Sequence, residues 1–246
     1  FIFLAGLSND PMADYNPKLN YLSNGTIPSL LAVNTKKAGI KRFIYASSCS
    51  VYGNTNDEIV NEDGKIECNF SYGISKYQGE VGVNNLTDEN FSTICLRMGT
   101  LGGYSNRMRY DLVLNAMYKS AINNNQINVN NPNILRPILD IRDACQVYIK
   151  AVECDYSISG VFNICSENTN IENLGKRIKS QIEILTNKNI KLNILNIQDN
   201  RNYSVNIDKA KRILKYQPMY KIEDTVINIY NNLKTSHIPE DYNNIN

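Results

Sequence analysis

Short apolar runs alternate with amphipathic segments along the first half of the chain. Residues 1–5, 42–46 and 91–98 form apolar runs without strict alternation, which is typical of strands buried on both faces. Between these runs, apolar residues recur at helical spacing. This succession of strands and helices predicts a parallel sheet with helices on both faces.

The second half has shorter apolar runs and more irregular connections. The polar or glycine-rich segments 53–70 and 99–107 are predicted to be loops. Pro28 lies inside the first long helical segment and should kink or divide it. The remaining strands are predicted at residues 127–129, 135–139, 161–164 and 190–197, and the helices at residues 18–37, 72–86, 109–122, 140–153, 171–185 and 222–233.

Composition limits the class of protein. With 246 residues, 42% of them hydrophobic, the chain can form one large α/β domain or a domain with a small lobe. A net charge of +2 gives no support for a nucleic-acid or membrane surface, and no apolar run approaches a membrane span. Six cysteines without a CxxC pair indicate reduced thiols in a cytoplasmic protein. The single histidine, His237, argues against a histidine triad or a zinc site.

The candidate chemistry lies in one stretch. The strand at 42–46 runs into SSCSVYG at residues 47–53, which places Ser48 at its carboxyl end, where open α/β sheets bind ligands. Tyr72 and Lys76 share a helix face at i, i+4 spacing. The ammonium should lower the pKa of the phenol toward neutrality, so that Tyr72 can exchange a proton with an alcohol. The alternative for the serines is that they only satisfy backbone groups at the end of the strand.

Spacing alone does not distinguish this pair. Tyr230 and Lys234 have the same separation near the C-terminus, where no serine-tipped strand precedes them. We therefore expect that second pair to be an ordinary helix end. The functional interpretation depends on Ser48, Tyr72 and Lys76 meeting in space.

Several motifs in order resemble one family. SSCSVYG at 47–53 followed by YGISK at 72–76 resembles the extended short-chain dehydrogenase/reductases, the NAD-dependent epimerase/dehydratase group. The resemblance extends over essentially the whole chain. The further matching motifs are LAGL at 4–7, Asn24, LRM at 96–98, RPILDIRD at 136–143, and the segment 199–209 with Arg201 and Asp208.

The resemblance implies a Rossmann-like parallel sheet with a small C-terminal substrate-binding lobe. Residues 1–122 and 140–165 would belong to the NAD-binding domain, and residues 123–139 and 166–246 mainly to the lobe. The first βαβ unit, with its glycine-rich phosphate loop, is missing from this sequence. We expect roughly 50–70 residues to precede Phe1 in the complete domain.

The resemblance also implies roles for individual residues. Tyr72 would be the general acid/base, Ser48 its hydroxyl partner, and Lys76 the residue that holds the nicotinamide ribose. Arg201, with Arg136 as a second candidate, would bind the nucleotide diphosphate. For both arginines the alternative is an ordinary ion pair. The implied cofactor-binding residues are Ala5, Gly6, Asn24, Tyr72, Lys76 and Met98, and the implied substrate-binding residues are Ser48, Thr100, Asp111, Arg136 and Arg201.

The implied activity is transient hydride transfer between NAD and a sugar carbon of a nucleotide sugar, similar to a UDP-sugar 4-epimerase. A dehydrogenase or reductase of the same family and a non-catalytic relative that binds a ligand are the alternatives. Cys49 and Ser50 replace the Asp-Glu pair of sugar 4,6-dehydratases, which disfavours that reaction. Ser8 stands where some 4-epimerases have a phosphate-binding lysine. The family further implies a homodimer through the helix that carries Tyr72.

Overall fold

The computed structural model, which describes residues 1–195, 197 and 201–233, is an α/β protein with a Rossmann-like parallel sheet. No helix in these ranges combines the length and apolar character that a membrane span requires. The strands are β1 (Ile2–Phe3), β2 (Arg42–Ser48), β3 (Asn54–Val60), β4 (Ser92–Met98), β5 (Thr100–Gly102), β6 (Gln126–Asn130), β7 (Leu135–Asp140), β8 (Gly160–Ile164), β9 (Glu167–Asn170), β10 (Lys191–Leu195) and β11 (Asn202–Val205).

The helices cover the faces of the sheet and build a second layer beside it. They are α1 (Asp10–Tyr15), α2 (Pro17–Tyr21), α3 (Ile27–Lys37), α4 (Ser71–Asn84), α5 (Val113–Asn124), α6 (Ile141–Glu153), α7 (Ile171–Thr186), α8 (Asp208–Ile213) and α9 (Ile222–Leu233).

The main sheet has the order β1-β2-β4-β8, with every pair parallel. Successive residues of β2 point to opposite faces, so Ile44 joins one apolar core while Phe43 and Tyr45 join another. The first core packs the sheet against α6 and α8, and the second packs it against α3 and α4. Burial on both faces explains why β2 and β4 read as continuous apolar runs.

A third apolar core lies outside the main sheet. It joins α5, α7 and α9 to β6 through residues such as Leu114, Ile127, Leu174 and Val226. Three smaller sheets accompany it: β6 pairs with β10, β3 with β11, and β7 with both β5 and β9. Tyr203 and Val205 of β11 nevertheless belong to the first core, so this late strand packs toward the main sheet.

The first helical segment is divided, as Pro28 predicted. A π-helical turn, Leu22–Thr26, separates α2 from α3, and Pro28 lies in the first turn of α3. A proline is accommodated there because the first turn of a helix needs no hydrogen bond from that nitrogen. The preceding helix α1, which begins at Asp10, was not predicted, because its six residues are too few to show periodicity.

Two predicted loops contain strands. Segment 53–70 includes β3, which pairs with β11, and segment 99–107 includes β5, which pairs with β7. Most β3 side chains are exposed, so no alternation of apolar residues marks it. The helix predicted from residue 109 begins at Val113 instead, and Arg109, Asp111 and Leu112 before it line the cavity described below.

A buried ion pair joins α4 to the main sheet. Arg97 on β4 donates from Nε and Nη2 to the Glu80 carboxylate at 3.0 and 2.6 Å, and both side chains are under 5% exposed. Ser47 donates to the same carboxylate at 2.7 Å, and Arg97 also donates to the Tyr52 hydroxyl. A charge buried in this way depends on its partner, since it has little water to solvate it.

Replacing Glu80 by glutamine should therefore destabilise the fold strongly. The side chain keeps its shape, but Arg97 loses its counter-charge, so we expect the free energy of unfolding to fall by about 3–5 kcal/mol. Urea denaturation measures this change. Lys176→Gln is the matched control, because it breaks an exposed i, i+4 pair with Glu172 and should change stability by less than about 0.5 kcal/mol. Equal effects of the two variants would contradict the prediction.

Candidate active site

A cavity of about 880 Å³ opens at the carboxyl ends of β2 and β4. This is the edge of a parallel sheet at which ligands bind, because the strands end there and the following loops leave a crevice. Most of the predicted site residues line it, and Ala5, Gly6 and Asn24 lie outside the lining set. The predicted residues that line the cavity are Ser48, Tyr72, Lys76, Met98, Thr100, Asp111, Arg136 and Arg201.

Ser48 and Tyr72 meet at the wall of this cavity. Ser48 ends β2, and its hydroxyl accepts from the Ser50 amide at 3.2 Å and from the Ser50 hydroxyl at 2.9 Å. It therefore has the backbone-capping role that was the alternative interpretation, and it also hydrogen-bonds Tyr72. Burial raises the pKa of Tyr72 to about 12, and the hydrogen bond with Ser48 opposes that rise.

Lys76 lies one helical turn beyond Tyr72. Its Nζ donates to the carbonyl of Ala46 at 3.0 Å and lies 5.9 Å from the centroid of the Tyr72 ring. Burial lowers the pKa of Lys76 to about 8. The prediction that Lys76 brings the pKa of Tyr72 toward neutrality is wrong for this structure, because desolvation of the phenol is the larger influence.

Asn24 fastens the loop after β1 to the helix that carries Tyr72. Its Nδ2 lies 3.0 Å from the Leu7 carbonyl and 3.1 Å from the Ser75 hydroxyl. Its backbone carbonyl accepts a hydrogen bond from the Tyr45 hydroxyl. Its Oδ1 is buried and has no hydrogen-bond partner among the described residues. Gly6 faces this oxygen: its φ is +136°, and an added Cβ would lie 2.0 Å from it. A side chain at position 6 is therefore excluded sterically.

The predicted arginines, Arg136 and Arg201, also line the cavity. Arg201 Nη1 lies 3.0 Å from Asp10 Oδ2. Arg136 donates to the carbonyls of Leu135 and Arg201 and stacks on the Tyr203 ring. The structure thus shows an ion pair for Arg201 and hydrogen bonds to the backbone for Arg136. Asp199, part of the same predicted motif, lies outside the described residues.

Among the charged residues that line the cavity, Asp10 and Arg109 were not predicted as site residues. Arg109 donates to the Ser8 hydroxyl at 2.5 Å and forms a two-point pair with Asp111. Its positive charge also lowers the pKa of Tyr72. One sequence observation bears on Arg109: Ser8 stands where some 4-epimerases have a phosphate-binding lysine. In the structure, Arg109 hydrogen-bonds Ser8 and so brings a positive charge to that place from another loop.

A model of the NAD dependent epimerase/dehydratase family matches residues 1–165, which include Ser48, Tyr72 and Lys76. The chain belongs to the NAD dependent epimerase/dehydratase family. This assignment confirms the resemblance seen in the motifs.

Solved structures similar to this epimerase/dehydratase-family chain have the same fold. One is MoeE5 in complex with UDP-glucuronic acid and NAD, with 18% identity, a TM-score of 0.81, and coverage of 95% of this chain and 78% of that chain. Another is UDP-glucuronic acid 4-epimerase from Bacillus cereus with UDP-glucuronic acid and NAD, with 23% identity, a TM-score of 0.80, and coverage of 94% and 74%. A third is RMD from Pseudomonas aeruginosa complexed with NADPH, with 19% identity, a TM-score of 0.77, and coverage of 94% and 79%.

The low pKa of Lys76 predicts how stability changes with pH. Between about pH 8 and the ordinary lysine value of 10.5, the unfolded chain holds a proton that the folded chain has lost, so stability rises with pH across this window. Relative to Lys76→Met, the wild type should gain about 2 kcal/mol in free energy of unfolding from pH 8 to 10.

Urea denaturation at several pH values measures this gain. Comparison with Lys76→Met cancels the titration of the tyrosines and cysteines, which both proteins share. Parallel curves for the two proteins would show that Lys76 titrates normally.

Proposed function

We propose that this protein is an NAD-dependent, epimerase-like enzyme that acts on a nucleotide sugar. One observation carries the proposal: Ser48, Tyr72 and Lys76 line the same cavity as the side chains of Arg109, Arg136 and Arg201. A hydroxyl group of a sugar bound in this cavity can reach Tyr72 while a diphosphate reaches a guanidinium group.

Tyr72 would move the proton of the reacting sugar hydroxyl at its phenolic oxygen. Ser48, which hydrogen-bonds Tyr72, would orient that hydroxyl. The pKa of about 12 keeps Tyr72 protonated at neutral pH, so its acid form is ready to donate, and its base form needs nearby positive charge. Lys76 and Arg109 are the side chains that would supply this charge.

The residues at the β1–β2 side fit a nicotinamide cofactor. Gly6 has no side chain, Asn24 fastens the loop around it, and Lys76 and Met98 line the cavity at the strand ends. Ala5, Gly6, Asn24, Tyr72, Lys76 and Met98 would hold NAD. When bound, NAD accepts a hydride from the sugar carbon and can return it to the opposite face. The similar proteins bound to NAD support this proposal.

The arginines that line the cavity suit the nucleotide diphosphate. Guanidinium groups match phosphate oxygens in geometry and charge, so Arg201 and Arg109 are the residues that would bind it, with Arg136 holding the Arg201 backbone. Thr100 and Asp111 also line the cavity and would contact the sugar. The UDP-sugars in the similar structures support UDP as the nucleotide.

The domain division follows the proposed site. Residues 1–122 and 140–165 would form the NAD-binding domain, and residues 123–139 and 166–246 mainly the substrate-binding lobe, with the cavity between them.

Six free cysteines support the proposal of a cytoplasmic protein.

We also propose a homodimer through α4 and its neighbour α3. Apolar side chains on both helices are exposed, with Leu30 at 58%, Ile27 and Val81 at 40% and Ile74 at 39%. Ile74 and Val81 are seven residues apart and share the outer face of α4. A contiguous apolar face of this kind is typical of an interface.

A charge on this face should break the dimer. Val81→Glu places a carboxylate in the proposed interface, and we expect the protein to sediment as a monomer in analytical ultracentrifugation while the wild type sediments as a dimer. Ile184→Glu is the control, since that exposed apolar side chain lies on α7 and should leave the dimer intact. A monomeric wild type would refute the proposed assembly.

Removing the Tyr72 hydroxyl should remove the activity. In the full-length protein, we expect Tyr72→Phe to lower the rate with NAD and UDP-sugars by about 10²–10⁴-fold, because proton transfer loses its donor and acceptor. Tyr230→Phe is the control, as the tyrosine of the second pair with the same spacing. Sugar stereochemistry and NADH absorbance are followed together.

The products distinguish the epimerase from the dehydrogenase. An inverted sugar without net NADH supports the epimerase, and net NADH supports a dehydrogenase instead. Full activity in Tyr72→Phe would refute the acid/base role of Tyr72.

A further inference from the structure

The Asp10 carboxylate lies between the proposed diphosphate site and the start of the helix that carries Tyr72. Oδ2 lies 3.0 Å from Arg201 Nη1, and Oδ1 accepts from the Tyr72 amide at 3.3 Å. The residue before α4, Phe70, provides no side-chain cap in the described structure. Asp10 therefore supplies, from 62 residues earlier in the chain, an acceptor that the first turn of α4 needs.

This carboxylate is held where its charge is poorly solvated. Its side chain is 14% exposed, and burial raises its pKa despite the opposing effect of Arg201. Arg201 is its ion-pair partner, and the amino end of α4 adds a favourable dipole. Because the carboxylate loses solvation and is only partly compensated, a more highly charged anion can compete for the same guanidinium.

Neighbouring residues make the same kind of contact with the second arginine. Ser8 accepts from Arg109, and Asn9 donates to Asp111, the carboxylate that pairs with Arg109. Three consecutive residues, Ser8 to Asp10, thus contact both guanidinium groups or their partners and also the first turn of α4. In the ligand-free protein, both arginines are engaged by side chains of this chain.

We propose that Asp10 determines how tightly the protein binds a nucleoside diphosphate, by competing with its phosphates for Arg201. The inference rests on the proposed role of Arg201 in binding the diphosphate. A phosphate oxygen on Arg201 comes close to the Asp10 carboxylate, and the two like charges repel. Binding must therefore replace the Asp10–Arg201 pair, and Asp10 lowers the affinity while it positions the backbone of Tyr72.

The test measures UDP binding to the 246-residue protein by isothermal titration calorimetry, without turnover. Asp10→Asn removes the charge but keeps an oxygen that can accept from the Tyr72 amide. We expect it to tighten UDP binding by about 3- to 10-fold, and we expect added salt to reduce this gain. A role confined to holding the structure would not produce tighter binding when the residue is changed.

Asp14→Asn is the matched control. Asp14 makes the same charge contribution and accepts from the Ser71 hydroxyl at 3.1 Å, so it contacts the same helix start but pairs with no described phosphate-site arginine. We expect its UDP affinity to stay within about 2-fold of the wild type. An equal gain in Asp14→Asn would assign the effect to net charge and overturn the specific role of Asp10.

Arg201→Gln separates the inference from the proposed function on which it rests. Alone, this variant should weaken UDP binding, and in its background Asp10→Asn should give no gain. Unchanged affinity in Arg201→Gln refutes the phosphate role of Arg201 and the inference with it. Weakened binding in Arg201→Gln, with no gain or a loss from Asp10→Asn in the wild-type background, overturns the inference alone. Thermal unfolding of each variant tests whether it is folded.

Discussion

The buried pair between Glu80 and Arg97 is the contact on which the geometry of the site depends. Arg97 is the second-last residue of β4 and lies opposite Ser47 of β2 in the parallel register. Glu80 is one turn beyond Lys76 on α4 and also accepts from Ser47. One carboxylate therefore holds two strand ends and the helix in a fixed relation. Ser48 and Tyr72, each a short distance along the chain from these anchors, meet because of it.

The site combines local placement with long-range electrostatics. The i, i+4 spacing sets Tyr72 beside Lys76, and the end of β2 sets Ser48 beside Tyr72. The charged residues around them come from other segments of the chain: Arg109 follows β5, and Asp10 follows β1. Desolvation dominates this environment, raising the pKa of the phenol and lowering that of the ammonium. Any ligand that brings charge into the cavity will therefore alter these proton affinities strongly.

The sequence was sufficient for features that are encoded locally. Buried parallel strands leave apolar runs, Pro28 marks a helix division, and Ser48, Tyr72 and Lys76 stand in recognisable motifs. The sequence was not sufficient to predict β3. The side chains of this strand are mostly exposed, and its partner, β11, follows about 140 residues later. The same limit applies to Asp10 and Arg109, because their contacts join distant loops. For Tyr72 the motif identified the neighbouring cation, while the extent of burial depends on the whole fold.

Gly6 and Asn24 carry a consequence for how this protein can change in evolution. The amide oxygen of Asn24 occupies the space that a side chain at position 6 would need, and the rest of the amide holds the loop to α4. The two positions are therefore epistatic: a larger residue at 6 requires a smaller one at 24 as well as a different backbone conformation, since its φ of +136° disfavours any side chain, and replacing Asn24 releases the loop. A lineage that leaves this pair by single substitutions must pass through a variant in which the loop beside the cavity is no longer fastened.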